Sequence, residues 1–315
     1  MTPPTDPLDE LHPEVRALLP RLAPLLGPPA QAVGLDVARR RFTRLLALGL
    51  AGAPDVATSD LDLGGGLRAR RYAPAPVGAG TTVVFLHGGG WTVGDVADYD
   101  GLTRRIAAGC GAVVLAVDVR RAPEHPFPAA VEDAVRGTRW ALDHAAGLGG
   151  DPSRVAVAGD SGGGNLAAVV CQQLRDAGGA QPAAQLLLYP NVARGADQPS
   201  VAAYGDVPFL TLSDMAWYTR QYVPPGTDLG DPRISPLEGD LAGLPPALVV
   251  TAGVDALRDS GRAYAAALAA AGSPAELLDL PGLPHGFAHL VALSSAAERA
   301  LDDVLARLGR LLTRD

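Results

Sequence analysis

Short apolar runs alternate with amphipathic segments from residue 82 to residue 312. The runs, rich in Val, Leu and Ala, fall at 82–87, 113–118, 155–159, 184–189, 247–251 and 276–280. Apolar positions recur at helical spacing in the segments between and after them, at 97–110, 129–145, 162–177, 259–271 and 294–312. Strands that alternate with helices in this way predict an α/β fold, with a mostly parallel sheet covered by helices on both faces.

The first eighty residues follow a different pattern. Residues 13–26 and 35–50 predict two helices, and residues 59–74 predict a β-hairpin that adds antiparallel strands to one edge of the sheet. A second irregular stretch, residues 190–244, is rich in Pro, Gly and Asp and separates two strands. Long excursions of this kind are usually functional. We expect residues 1–55 and the 190–244 insertion to form a helical cap on a larger domain of residues 56–315.

Composition excludes several classes of function. The 315 residues carry a net charge of -8, which argues against a nucleic-acid partner. All 26 basic residues are arginine, and without lysine the chain can form neither a P-loop, a Schiff-base enzyme nor a Ser-Lys hydrolase. The two cysteines, Cys110 and Cys171, fit neither a metal-binding spacing nor a disulfide framework. We expect no metal ion and no organic cofactor.

No apolar run is long enough to span a bilayer, so we expect no stable membrane insertion. Residues 38–53 place consecutive arginines before an apolar stretch, as twin-arginine export signals do. The segment lies too deep in the chain for such a signal, and export would require a misassigned start codon. Its apolar residues also share one helical face. The segment therefore predicts an amphipathic helix, and we expect a cytoplasmic protein.

A candidate nucleophile follows the apolar run 155–159. The motif GDSGG (159–163) fits G-x-S-x-G and lies between a predicted strand and a predicted helix, which is the context of a nucleophile elbow. Such a turn exposes the hydroxyl of Ser161, and the backbone N–H groups at the helix start favour negative charge there. The alternative is a glycine-rich turn whose serine only caps the helix.

A serine nucleophile needs a base and an orienting carboxylate. Among six histidines, His285 is the best candidate, because it follows the last strand in a loop that can reach over the sheet. His289 fits the pattern of an ordinary helix or surface histidine. Asp255 lies directly after a strand, whereas Asp259 enters a helix that it is expected to cap. The order Ser161, Asp255, His285 is that of α/β-hydrolases.

Three consecutive glycines follow the first apolar run in VVFLHGGGWTVGD (83–95). A phosphate site is excluded by the missing lysine and by the absence of G-x-G-x-x-G, which leaves an oxyanion loop or a plain turn. Glycine backbone approaches a substrate closely, and in α/β-hydrolases the loop after an early strand supplies oxyanion donors. We therefore expect the N–H groups of Gly88, Gly89 and Gly162 to form an oxyanion hole.

The chain resembles the hormone-sensitive-lipase-like (bacterial family IV) esterases over residues 81–290. The segments that carry the resemblance occur in the family's order: HGGGW (87–91), VDVRRAPEHPFPAAVEDA (117–134), GDSGGGN (159–165), DPRISPL (231–237), VDALRDSG (254–261) and HGF (285–287). The resemblance implies the triad Ser161, Asp255 and His285, the same three oxyanion glycines, a cap, and a structural role for His87. The chain departs from the family at Ala256, at RDSG and at Arg120-Arg121, none of which is a triad position.

These observations predict a serine carboxylesterase that cleaves small esters of short to medium acyl chain length; the chain length is implied by the resemblance. Trp91, Phe209 and Trp217 are candidates for an acyl or alcohol pocket, with packing between cap and core as the alternative. An amidase, a lactonase or a deacetylase would use the same triad. A non-catalytic ligand receptor on this fold would be expected to lack a triad member. The acidic surface and the last helix are compatible with a homodimer.

Overall fold

The computed structural model describes residues 6–76, 80–193 and 198–313. The first five residues of the predicted cap and residues 194–197 of the 190–244 insertion lie outside the described residues. Eight strands of the described residues form one sheet in the order β1-β2-β4-β3-β5-β6-β7-β8. Their bounds are β1 Ala57–Asp62, β2 Arg68–Ala73, β3 Thr82–Leu86, β4 Val113–Asp118, β5 Val155–Asp160, β6 Ala184–Leu188, β7 Ala247–Val254 and β8 Ala275–Pro284.

The pairing of the strands confirms the predicted sheet. β1 and β2 form the antiparallel hairpin, and β2 pairs antiparallel with β4. Every pairing from β4 to β8 is parallel. Since parallel neighbours need crossover connections, helices fill the stretches between these strands.

In the part of the chain that the structure describes, ten α-helices pack around the sheet. They are α1 Pro13–Leu26, α2 Ala30–Val33, α3 Leu35–Gly49, α4 Asp100–Cys110, α5 Ala129–His144, α6 Gly162–Asp176, α7 Pro199–Tyr204, α8 Leu212–Tyr222, α9 Arg258–Ala270 and α10 Ser295–Thr313. Successive side chains of β3 point to opposite faces: Val83 and Phe85 join one buried cluster, and Val84 and Leu86 join the other. The first cluster includes residues of α1, α3, α4 and α10, and the second includes residues of α5, α6 and α9. Helices therefore cover both faces, as predicted.

The N-terminal helices pack against the insertion. The short helix α2, which the sequence pattern did not predict, begins at Ala30, whose N–H donates to Asp214 Oδ1 of α8 at 2.9 Å. Trp217 of α8 is buried with Ala30, Ala38 and Val93. The two irregular parts of the chain thus contact each other directly.

Asn165 binds the insertion to α6, the helix that directly follows Ser161. This fully buried residue of α6 donates from Nδ2 to the carbonyl oxygens of Asn191 and Ile234, both at 2.8 Å. Those two residues lie near the beginning and near the end of the insertion. Asn191 and Ile234 of the insertion therefore both lie beside the first turn of α6.

The parallel order of the strands decides where the loops meet. The loops that follow β3, β5, β7 and β8 all leave the carboxyl edge of the sheet, which is the edge where open α/β sheets bind ligands. They contain the glycine loop, Ser161, Asp255 and His285. Within the described ranges, no helix has the length and apolar character needed to cross a membrane.

Candidate active site

Ser161 occupies a sharp turn between β5 and α6. Its backbone angles are φ 52° and ψ -115°, a conformation that costs about 1–3 kcal/mol for a non-glycine residue. The surroundings hold this conformation: its N–H donates to Leu188 O at 2.9 Å, and its carbonyl accepts from Asn165 N at 3.0 Å. Gly163 allows the close approach of helix and strand, because a Cβ there would overlap Leu86 O. The predicted elbow is present.

His285 links the serine to a buried carboxylate. Its Nε2 lies 2.9 Å from Ser161 Oγ, and its Nδ1 lies 2.8 Å from Asp255 Oδ2. Asp255 is 2% exposed, and its other carboxylate oxygen accepts from Leu257 N at 2.9 Å. With the Nδ1 proton held by the carboxylate, Nε2 presents a lone pair to the serine hydroxyl. This arrangement can remove the hydroxyl proton during attack on a carbonyl.

Asp259, the other candidate carboxylate, lies in the first turn of α9 and has a different role. Its Oδ2 accepts from Ser200 N in the first turn of α7 at 2.9 Å, and its Oδ1 pairs with Arg258 Nε at 2.8 Å. The prediction that Asp259 caps its own helix is therefore wrong. It binds the insertion instead.

The glycine loop requires one correction. The N–H of Gly88 donates to Asp160 Oδ1 at 2.8 Å, so it is turned away from Ser161 and already paired. The prediction of Gly88 as an oxyanion donor is wrong for this reason. Gly89 and Gly90 line the same cavity as Ser161. Gly90 N lies 3.4 Å from the position that a Cβ on Gly162 would occupy.

Three glycines beside Ser161 are therefore the candidates for oxyanion donors: Gly89, Gly90 and Gly162. Among the described residues, no hydrogen-bond acceptor lies against the N–H of Gly89, Gly90 or Gly162. Sequence reasoning missed Gly90, because a run of glycines does not reveal which N–H faces inward. The signal available was Asp160, a carboxylate next to the serine that could draw one N–H towards itself.

Two further histidines lie behind the glycine loop. His87 is buried, and its Nδ1 lies 3.0 Å from Gly88 O, in keeping with the structural role that the family resemblance implies. His289 belongs to the short 3-10 helix Phe287–His289 and is 6% exposed, so the prediction of a helix residue agrees with the structure and the alternative of a surface residue is wrong. Its Nε2 lies 3.1 Å from Asp160 Oδ2.

Buried tyrosines form the walls around these charges. The ring of Tyr189 lies edge-on to His285 at 5.0 Å. Burial raises the pKa of Tyr189 well above its ordinary value, and the Asp160 and Asp255 carboxylates raise it further. The pKa of Tyr99 is raised in the same way, by burial and then by Asp160. Both phenols therefore stay neutral at neutral pH.

The cavity in front of Ser161 is mostly apolar. Residues of α1 to α3 form one wall, including Leu26, Phe42 and Leu45, and the insertion supplies Phe209 and Met215. The location of Phe209 agrees with its prediction as a pocket residue.

The two predicted pocket tryptophans differ from Phe209. Trp91 borders the cavity, but its ring stacks on Tyr222 with centroids 4.4 Å apart. Trp217 does not border the cavity; it packs among Ala30, Ala38 and Val93. The prediction of Trp217 as a pocket residue is wrong, because α2 and α3 cover it.

Possible metal ligands and thiols also occur within residues 6–76, 80–193 and 198–313. In those ranges no three His, Cys, Asp or Glu side chains are grouped so as to hold a metal ion. Burial raises the pKa of the Cys110 thiol to about 12, which leaves it protonated at neutral pH.

Comparisons with known proteins agree with this geometry. A family model described as alpha/beta hydrolase fold matches residues 83–289. The carboxylic ester hydrolase LipN of Mycobacterium tuberculosis is 42% identical over 303 residues, which cover 92% of this chain and 80% of LipN. The ethyl acetate hydrolase of Pseudomonas putida is 38% identical over 286 residues, which cover 87% of this chain and 89% of that hydrolase. The hyperthermophilic esterase of Pyrobaculum calidifontis superposes with a TM-score of 0.88 at 37% identity, covering 96% of this chain and 99% of its own.

Proposed function

This chain belongs to the α/β-hydrolase family and is a carboxylic ester hydrolase, and we propose that it cleaves short- to medium-chain acyl esters with Ser161 as nucleophile. The observation that carries the proposal is the continuous hydrogen-bonded path from Asp255 through His285 to Ser161 Oγ, with links of 2.8 and 2.9 Å. Ser161 Oγ and His285 Nε2 lie within reach for proton transfer, and Asp255 orients the imidazole.

Acylation begins when Ser161 Oγ attacks the ester carbonyl and His285 Nε2 accepts the serine proton. The carbonyl oxygen becomes an oxyanion that the N–H groups of Gly89, Gly90 and Gly162 stabilise. Asp255 keeps the imidazole in the required tautomer and stabilises the imidazolium. His285 then gives its proton to the leaving alcohol, and the acyl group stays on Ser161 as an ester.

Deacylation repeats these steps with water. His285 accepts a proton from a water molecule, which attacks the acyl-enzyme carbonyl, and the same amides stabilise the second oxyanion. The proton returns to Ser161 Oγ as the carboxylic acid leaves. The ester and one water molecule are consumed, and one alcohol and one carboxylic acid are released, so the two half-reactions balance.

Two observations support the preference for short to medium acyl chains. Residues of α1 to α3 and of the insertion line the cavity. A long acyl chain would therefore have to displace these helices or pass between them. A relative that covers most of this chain is named for ethyl acetate, a short ester. We propose that these helices act as the cap.

The cytoplasmic location, the homodimer and the absence of a cofactor stay predictions.

The test is hydrolysis of p-nitrophenyl esters from acetate to palmitate. We expect turnover of the shorter esters, falling off before palmitate. Ser161→Ala should lower kcat by about 10⁶. Ser153→Ala is the matched control, because this exposed serine contacts only the Asp151 turn, and it should leave kcat unchanged. If the folded wild-type protein hydrolyses none of these esters, the ester substrate class is wrong, and amides and lactones come next.

A further inference from the structure

The buried carboxylate of Asp160 joins three loops of the site. Its Oδ1 accepts the N–H of Gly88 at 2.8 Å, and its Oδ2 lies 3.1 Å from His289 Nε2. Asp160 directly precedes Ser161, and His289 lies four residues after His285. A single side chain therefore contacts the loops that carry the nucleophile, the oxyanion amides and the base.

The orientation of the glycine loop depends on this carboxylate. Because Gly88 turns its N–H towards Asp160, the next two N–H groups, of Gly89 and Gly90, are left on the side of the cavity. The contact is close: a Cβ on Gly88 would lie 2.6 Å from Asp160 Oδ2. A shift of the carboxylate would therefore move the loop and its oxyanion donors.

His289 is placed to hold the carboxylate still. A fully buried carboxylate requires hydrogen-bond donors, and among the described residues Asp160 Oδ2 has two, His289 Nε2 and Tyr99 O–H, both at 3.1 Å. Phe42 and Tyr99 enclose the His289 ring edge-on, with centroids 5.8 and 5.3 Å away, which fixes the direction of Nε2. Tyr99 directly precedes α4, so of these two donors from the described part of the chain it is His289 that ties the carboxylate to the His285 loop.

We propose that His289 is a positioning residue that, through Asp160, sets the oxyanion amides relative to Ser161 and His285. The proposal rests on the proposed esterase function. The contribution of His289 is needed when the oxyanion forms, since the ground-state ester makes weaker contacts with these amides. Loss of its hydrogen bond should therefore lower kcat and weaken inhibitors that form an oxyanion, with little change in KM.

The test compares His289→Gln with His289→Asn. Both place an amide at this position, but the glutamine nitrogen reaches about as far as Nε2, whereas the asparagine nitrogen stops near Nδ1 and cannot reach Asp160. Tyr99→Phe is the control, because it removes the other donor to the same oxygen and leaves the loop-to-loop contact intact. The measurements are kcat and KM for p-nitrophenyl butyrate, the Ki of an alkyl trifluoromethyl ketone, and the thermal midpoint.

We expect His289→Asn to lower kcat about 10- to 100-fold and to raise the Ki by a similar factor, with KM within twofold. His289→Gln should recover most of the wild-type kcat and most of the affinity for the ketone. Tyr99→Phe should change kcat and Ki less than threefold. Equal kcat and Ki for the Asn and Gln variants would overturn the proposal, as would a Tyr99→Phe loss as large as that of His289→Asn. A wild-type protein that neither cleaves the ester nor binds the ketone would contradict the esterase function instead.

Discussion

Arg39 and Glu124 form a two-point ion pair, in which Nη1 and Nη2 each lie 2.7 Å from a carboxylate oxygen. The same guanidinium donates from Nε to Thr92 O at 3.0 Å and from Nη2 to Ala122 O at 3.1 Å. Arg39 belongs to α3, and Thr92 follows the glycine loop. One side chain therefore fastens the N-terminal helices beside the oxyanion amides.

Arg39→Ala should lower the free energy of unfolding more than Glu124→Gln does. Glu124→Gln loses only the ion pair, whose carboxylate is 51% exposed, so we expect a loss below about 1 kcal/mol. Arg39→Ala also loses two hydrogen bonds to backbone carbonyls from a charged donor, and we expect a loss of about 2 kcal/mol. Urea unfolding of both variants measures the difference. Equal losses would mean that the carbonyl contacts contribute nothing.

The same pair predicts a pH dependence. The hydrogen bond from Arg39 lowers the pKa of Glu124 from its ordinary value of 4.5 to about 2. A carboxyl whose pKa is lower in the folded state stabilises the fold above its unfolded pKa and loses that contribution as the pH falls towards the folded pKa. The difference in thermal midpoint between wild type and Glu124→Gln should therefore be constant from pH 7 to pH 5 and shrink between pH 5 and pH 3. If the difference in thermal midpoint at pH 3 is as large as at pH 7, the ionised pair is not the source of that difference.

Asp255 and Asp259 offer a matched pair of carboxylates four residues apart. Asp255→Asn should lower kcat for p-nitrophenyl butyrate by about 10⁴, because the amide favours the wrong tautomer of His285. Asp259→Asn should leave kcat within a few-fold, since this residue binds Ser200 and Arg258 away from the imidazole. Similar kcat values for the two variants would contradict the assignment of Asp255.

Phe209 and Trp217 should separate substrate selection from stability. Phe209 borders the cavity, so Phe209→Ala should enlarge it and shift the preferred p-nitrophenyl ester towards longer chains. Trp217 is buried away from the cavity, and Trp217→Ala should instead cost about 3–5 kcal/mol of unfolding free energy with the chain-length profile unchanged. The rate profile and a urea titration of each variant check both statements. A shifted profile in Trp217→Ala would place that side chain at the substrate.

The sheet and the triad could be predicted because their signals are local. Each apolar run marks a strand, and in a parallel sheet the residues directly after the strands meet at one edge. Ser161, Asp255 and His285 each follow a strand, so their order along the chain was enough to bring them together. The hydrogen bonds of 2.8 and 2.9 Å agree with that expectation.

The errors concern contacts between segments far apart in sequence. Which N–H of the glycine loop turns inward depends on Asp160, 72 residues from Gly88. Whether an aromatic residue of the insertion faces the cavity depends on α2 and α3, about 180 residues before Trp217. Neither contact leaves a periodic pattern in the chain. The burial of His289 was also missed, because its partner Asp160 lies at the end of β5, 129 residues earlier in the chain.

The amide of Asn165, one helical turn beyond Ser161, holds the chain at Asn191 and again at Ile234. The segment between these residues leaves the sheet and returns to it at one anchored base. The strand, turn and helix that present the nucleophile do not pass through this segment. Replacing residues 192–233 by the matching segment of a relative would therefore change one wall of the cavity while the chain on both sides of Ser161 keeps its own residues.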